Sequence, residues 1–293
     1  MCLIENISFV VVDVETTGSD PRSNRIFDIA CIRVENEKII ENYYSLVNPH
    51  QFIPPFISKL TGVSNKQVYS APEPREVFSR VHNFFCTKPS IFVAHNAAFD
   101  FSFVKNVFNR LNLEFDLPVL CTLKLARKLL PKDLKKNVGF LANYFYHDIE
   151  NRHRAYDDCL ATVTILNELI KIARSDFDIS TVQDLLAFQN KPVRATKVKS
   201  PNADTILKKI ETIPNEAGFF NVLDKEGNII FSSETNFLQS RLFSFFGYDE
   251  HYSKKIARII KNSYDISWKI NSDSENLFQQ NTLFDYLSEK IKL

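Results

Sequence analysis

Net charge is what this sequence has least of. Thirty-six Lys and Arg residues stand against 35 Asp and Glu, a formal balance of +1. No global field therefore announces a polyanionic partner, and any basic surface has to be local. Cysteine pairing patterns are missing too. Cys2, Cys31, Cys86, Cys121 and Cys159 are odd in number, widely spaced and form no C-x-x-C, which argues against a disulfide framework and a cysteine zinc site. No apolar run reaches membrane-spanning length and no leader-type segment is legible. We therefore expect a soluble, cytoplasmic chain with reduced thiols and no membrane partner. Methionine and tryptophan occur once each against 26 phenylalanines, a bias to which composition attaches no function. Repeats and low-complexity segments are absent, and 293 residues suffice for one large domain or two ordinary ones.

What the chain does have begins at residues 9–20, "FVVVDVETTGSD". The valine-rich run reads as a buried strand, yet it carries Asp13 and Glu15. Strand side chains alternate, so the two carboxylates share a side, roughly 6–7 Å apart. Two like charges at the edge of a core raise each other's pKa and cost stability unless a cation neutralises them; hard cations such as Mg²⁺ suit such a place. The alternative is an ordinary strand end with both acids solvated, and D-x-E alone leaves the two readings open.

The first third alternates strand and turn: "FVVVDVE", "RIFDIACIRVE" and "KIIENYYSLVNP" read as antiparallel strands. Helical spacing follows in "PFISKLTGVS" and "PREVFSRVHNFFC", then a short strand "IFVAHN" and a helix "FDFSFVKNVFNRL". "CTLKLARKLL" and "VGFLANYFY" are further helix candidates, and "RAYDDCLATVTILNELIKIAR" is the longest helical pattern. An α/β domain over 1–175 is expected. The stretch 176–205 reads as a linker, with two prolines and several basic residues in "QNKPVRATKVKSPN". A small α+β unit over 206–293 follows, with a hairpin turn signal at Glu226-Gly227-Asn228.

More acids sit where chemistry could use them. Asp100 follows "VAHNAAF" and opens a helix; Asp157 and Asp158 lie in the first turn of the long helix, with His153 just upstream. Asp13, Glu15, Asp100 and Asp158 with one histidine suit a two-metal phosphodiester hydrolase, in which two ions clamp the scissile phosphate and a near-neutral His takes the proton from water.

"VVDVETTG", "VAHNAAFDFSFV" and "HRAYDDCLAT", in this order, resemble the three motifs of the DEDDh 3′→5′ exonuclease superfamily, in particular the proofreading (epsilon) subunits of bacterial DNA polymerase III. "LTGVSNKQVYSAPEPREV" and "CTLKLARKLLP" resemble that family's connecting segments, so the likeness covers about residues 7–174. It implies a ribonuclease-H-like fold, a mixed five-stranded sheet with helices on both faces. It further implies ligation of two Mg²⁺ or Mn²⁺ ions by Asp13, Glu15, Asp100 and Asp158, with His153 as general base. Asp157 reads as a helix N-terminal charge beside Asp158. His95 competes as a base, but with Asn96 it reads as a loop-shaping or substrate-contacting group; Thr16 and Thr17 could bind a terminal nucleotide or simply form a turn. Asp28 reads as structural. Lys124, Arg127, Lys128, Lys132, Lys135 and Lys136 could hold a single-strand backbone or form a solvated face.

The second unit, over about 207–291, resembles the GIY-YIG nuclease domain of the bacterial excision-repair incision subunit, with departures. Phe220 and Phe231 stand where that family has Tyr, Ser233 and Glu234 replace its Gly-Lys, Arg241 matches its Arg, and Gln280 takes the place of its metal-binding Glu. Losing the phenolic O–H and the anionic ligand leaves packing without chemistry, so a folded but inactive module is expected. In "QDLLAF", Gln183, Leu186 and Phe188 resemble a motif by which bacterial replication proteins dock on the sliding clamp; "QNTLF" at 280–284 is a rival match. The expected function is a 3′→5′ exonuclease on single-stranded DNA in proofreading or repair, with the clamp or a replicative polymerase as candidate partners. An RNA 3′-end trimmer and a non-catalytic scaffold are the alternatives.

Overall fold

The structure is a computed structural model describing residues 2–271 apart from 133, 146, 193, 249 and 252. Gln280 and the 280–284 match lie outside the described residues. The chain divides into two compact units, one of 1–199 with 248–260 and one of 200–247 with 261 onward.

In the first unit, Val10, Val11, Val12 and Val14 are all buried, so the strand carrying them, β1 (Ser8–Thr16), runs through the middle of a sheet. β2 (Ile26–Glu35) and β3 (Lys38–Leu46) continue it as an antiparallel meander. Helices α1 (Pro55–Thr61), α2 (Asn65–Tyr69) and α3 (Pro74–Cys86) follow. β4 (Ser90–Ala94) then pairs parallel to β1, and after α4 (Ala98–Arg110) the short β5 (Val119–Cys121) pairs parallel to β4. The order β3-β2-β1-β4-β5 is the mixed five-stranded sheet expected of a ribonuclease-H-like fold. α5 (Thr122–Leu129), α6 (Val138–Tyr144), α7 (Ala155–Phe177) and α8 (Val182–Phe188) complete the helices before the ribbon of β6 (Thr196–Lys197) and β9 (Glu250–His251).

Alternation along β1 separates two faces. Val10, Val12 and Val14 pack with Phe78 and Phe85 of α3 and with Phe103, Val104 and Phe108 of α4. This is where much of the phenylalanine goes: Phe92, Phe101, Phe108 and Phe115 meet at centroid distances of 4.7–6.2 Å. Each fully buried side chain of this size contributes about 1.5–3 kcal/mol. The long helix α7 lies against β1 and β2, and the buried Cys159 Sγ–H donates to the Val11 carbonyl at 3.2 Å.

Two features of this unit escape hydrophobic patterning. Arg33 on β2 is 1% exposed. It donates to Ser8 Oγ at 2.6 Å, Ser90 Oγ at 3.1 Å, Thr87 Oγ1 at 2.9 Å and the Phe84 carbonyl, and meets Glu41 at 3.3 Å. At the sheet margin, the buried Gln189 accepts from the Cys121 N–H at 2.9 Å and donates to the Val119 carbonyl at 2.7 Å, so its carboxamide stands where the next strand would pair. Within the stretch read as a linker, α8 is an ordered helix with Val182 and Leu185 buried.

The second unit has a sheet of order β10-β7-β8, from β7 (Gly218–Leu223), β8 (Ile229–Thr235) and β10 (Asp265–Ile270). α9 (Ala203–Glu211) and α10 (Leu238–Phe246) belong with it, whereas α11 (Lys254–Asn262) begins in the first unit. Phe220, Phe231 and Phe245 form its aromatic core at 5.4–6.0 Å, with the Arg241 guanidinium 4.6 Å over Phe245.

Candidate active site

β1 carries Asp13 and Glu15 out of the core on the α7 side. Asp13 stands opposite Ala30 and Glu15 opposite Asp28; then the register shifts, Thr16 meeting Ile26 and leaving Phe27 as the extra residue. A bulge at this point turns the strand and frees its end for a site. From α4, Asp100 reaches back from the first helical turn and accepts the Val14 N–H at 3.3 Å. From α7, Asp158, also in the first turn, accepts the His153 N–H at 2.9 Å. Both helix N-termini favour a carboxylate there. His153 sits at φ 64°, a left-handed corner that delivers its ring to the acids. Single ligand atoms of Glu15, His153 and Asp158 all lie within 4.8 Å of one another.

Burial and mutual repulsion raise these carboxyls. Asp13 is pushed well above its usual range by burial first, then by Asp100, Glu15 and Asp158. Glu15 is pushed up to about 8 by burial, then by Asp158, Asp28 and Asp100. Burial lifts Asp100 to about 7, and lifts Asp158 against the opposing His153 N–H. Protein alone does not supply the positive charge that four ionised carboxylates need. Acid donors with one imidazole fit a hard divalent cation, and Glu15, His153 and Asp158 are the residues whose ligand atoms come close enough together to hold one.

The other sequence candidates separate clearly. Asp157 shares the first turn of α7, but it is Asp158 that joins Glu15 and His153. Both His95 ring nitrogens are engaged, with Thr122 Oγ1 at 2.9 Å and the Lys136 carbonyl at 2.7 Å, so its ring ties β4 to α5 and the following loop. Asn96 is exposed at φ 68°. Thr16 Oγ1 donates to the Gly18 carbonyl at 2.7 Å; Thr17 Oγ1 donates to Gln51 Oε1 and accepts the Arg25 N–H at 3.0 Å, so both hydroxyls shape the turn after Glu15. Within the basic cluster, Lys124 bonds Asn190 Oδ1 at 3.0 Å and Lys136 the Pro131 carbonyl at 2.6 Å, while Arg127, Lys132 and Lys135 are exposed. On α8, Gln183 is exposed, Leu186 half-buried, and Phe188 packs on Phe177 at 4.9 Å.

Arg154 went unnoticed in the sequence. Its Nε donates to Asp28 Oδ2 at 3.1 Å and its terminal Nη2 donates to Tyr44 Oη. The signal was an arginine directly after the base candidate and an acid inside a buried strand. Phe52, Phe56 and Leu60, 59%, 71% and 52% exposed, were missed as well; they start next to Gln51, the partner of Thr17.

The family model described as exonuclease (RNase_T) matches residues 10–166, just over half the chain. The chain belongs to the exonuclease family. Among its relatives are the PolC-type DNA polymerase III of Caldanaerobacter subterraneus, 38% identical over 164 residues (56% of this chain, 12% of that one). The 3′-5′ exonuclease DinG of Staphylococcus epidermidis is 32% identical over 160 residues (54% and 18%). A Mycobacterium tuberculosis protein described provisionally as a bifunctional exonuclease/endonuclease is 31% identical over 252 residues, 83% of this chain and 38% of that one. The chain thus spans well under half the length of these curated relatives. Zinc-bound E. coli Exonuclease I in its ssDNA complex shares the fold, with TM-score 0.52 and 19% identity, over 74% of this chain and 48% of that one. Among the described residues no helix is long and apolar enough to cross a membrane, and all five cysteines are free.

Proposed function

We propose that this exonuclease-family chain removes nucleotides from the 3′ end of single-stranded DNA with two Mg²⁺ or Mn²⁺ ions held by Asp13, Glu15, Asp100 and Asp158. The observation that carries the reading is the meeting of Glu15, His153 and Asp158 within 4.8 Å, beside Asp13 and Asp100 whose carboxyls burial pushes upward. Bound divalent ions would supply charge neutralisation for the scissile phosphate and an acidified water. His153 is the group that takes the proton from the attacking water, its backbone fixed by Asp158. The exposed Phe52, Phe56 and Leu60, with the exposed Lys59 between them, offer apolar faces for bases and a charge for phosphate.

The name of the PolC-type DNA polymerase III relative supports DNA as substrate; proofreading or repair is the setting we propose. The 83% coverage against the bifunctional relative reaches beyond the family match into the second unit. We read that unit as a GIY-YIG-like module without activity. Phe220 and Phe231 bring rings but no hydroxyls to its core. We keep the sliding clamp as partner for Gln183, Leu186 and Phe188; docking there requires Phe188 to leave Phe177.

The test is digestion of 5′-labelled single-stranded DNA and RNA with Mg²⁺, Mn²⁺ or EDTA. A DNA ladder shrinking from the 3′ end, lost in EDTA and in Asp13→Ala, supports the reading. A ladder on RNA alone transfers it to RNA trimming, and no ladder on either makes the chain a scaffold.

A further inference from the structure

We propose that the Asp28–Arg154 pair is a positioning device that holds His153 at the acidic site. The inference rests on the exonuclease reading, in which His153 is the base. Asp28 lies on β2 directly opposite Glu15, and its carboxylate is 0% exposed. Arg154, the residue after His153 and the N-cap of α7, bridges the 126 residues between them with the Nε–Oδ2 bond of 3.1 Å. Its guanidinium also bonds Tyr44 Oη and lies 5.8 Å from that ring's centre.

The corner at 153–154 is thereby fixed at three points. The His153 N–H goes to Asp158 Oδ2 at 2.9 Å, the Arg154 carbonyl accepts the Asp158 N–H at 3.1 Å, and the Arg154 side chain is anchored to the sheet. The first two contacts tie the corner to α7 alone. The third ties the Arg154 side chain to β2, the strand paired with the one that carries Asp13 and Glu15, at the same Asp28 carboxylate that the Ala155 N–H faces. A residue at φ 64° outside glycine is held by its surroundings rather than by its own preference. Without the tether, the corner and the ring it carries can shift relative to β1. A planar fork is suited to this task because it bonds the acid and the phenol at once.

The experiment compares Arg154→Met and Arg154→Lys in the full chain, each alone and combined with His153→Ala, by steady-state digestion of single-stranded DNA. Hydrogen exchange over 150–158 is followed in EDTA, which needs no activity. Arg154→Met is expected to lower kcat about 10- to 100-fold with KM within about twofold, the size of effect that supporting shells of such sites give. Arg154→Lys should recover part of it. In the His153→Ala background the same Met substitution should cost less than about twofold, and exchange over 150–158 should quicken in Arg154→Met. A full additional loss in that background, a change confined to KM, or unaltered exchange each overturn the proposal. If Arg154→Met fails to fold, the Lys variant and Tyr44→Phe carry the same comparison. An unsubstituted chain that digests nothing removes the exonuclease reading instead, while exchange still decides whether Arg154 holds the corner.

Discussion

The backbone N–H of His153 donates to the carboxylate of Asp158 at 2.9 Å, five residues further on. One carboxyl thus both faces Glu15 and fixes the backbone of the imidazole beside it. Asp158→Ala is therefore expected to cost at least as much kcat as His153→Ala, about 10²–10⁴-fold. Asp157→Asn, one position away, should stay within about threefold. Single-turnover digestion of a 5′-labelled oligonucleotide checks the order of the three.

The raised carboxyls make the metal-free protein sensitive to alkali. Glu15 sits at about 8 in the fold against an ordinary value of 4.5, and Asp100 at about 7 against 3.8. Between those limits the folded state binds more protons than the unfolded one, so stability falls as pH rises. Melting in EDTA is expected to drop by roughly 5 °C or more from pH 5 to pH 8. Mg²⁺ should reverse the drop at pH 8, and Asp13→Asn should lessen it in EDTA. A melting temperature flat across that range would contradict the burial of these groups.

Arg33 poses a different kind of liability. Its guanidinium satisfies Ser8, Thr87, Ser90, Glu41 and the Phe84 carbonyl from within the sheet. Arg33→Ala removes the donor that the buried Ser8 and Ser90 hydroxyls share and leaves a cavity in the sheet, and should destabilise by about 2–5 kcal/mol. Glu41→Gln, at a half-exposed partner, should cost under about 1 kcal/mol. Urea midpoints at constant m-value measure both.

In the exposed stretch after Gln51, Phe56→Ser with Leu60→Ser is expected to raise KM for single-stranded DNA about tenfold, the scale of one lost base contact. Both side chains are already in water, so melting should move little. A KM unchanged in the double variant would leave this apolar stripe without a substrate role.

Patterning made the sheet legible where side chains alternate or run apolar, as in β1 and β2, and the ordered acid motifs pointed to Asp13, Glu15, Asp100 and Asp158 before any geometry. What stayed hidden is held together by single long-range polar contacts. Arg154 and Asp28 are 126 residues apart and neither is unusual alone. α8 lies in a polar stretch that reads as a linker, yet burying Val182 and Leu185 suffices to dock seven residues on a larger core. His95 read as loop-shaping or substrate-contacting with a base role in competition, because a lone histidine at a strand end reveals neither Thr122 nor the Lys136 carbonyl, which take both of its nitrogens.

The carboxamide of Gln189 has a further consequence. Beyond β5 the sheet would otherwise offer a bare N–H and C=O to any extended chain that came by. One side chain from a neighbouring turn fills both hydrogen-bonding valences and makes the margin unattractive to a second molecule. Cover for this edge, rather than hydrolysis, is what the geometry gives that residue to do.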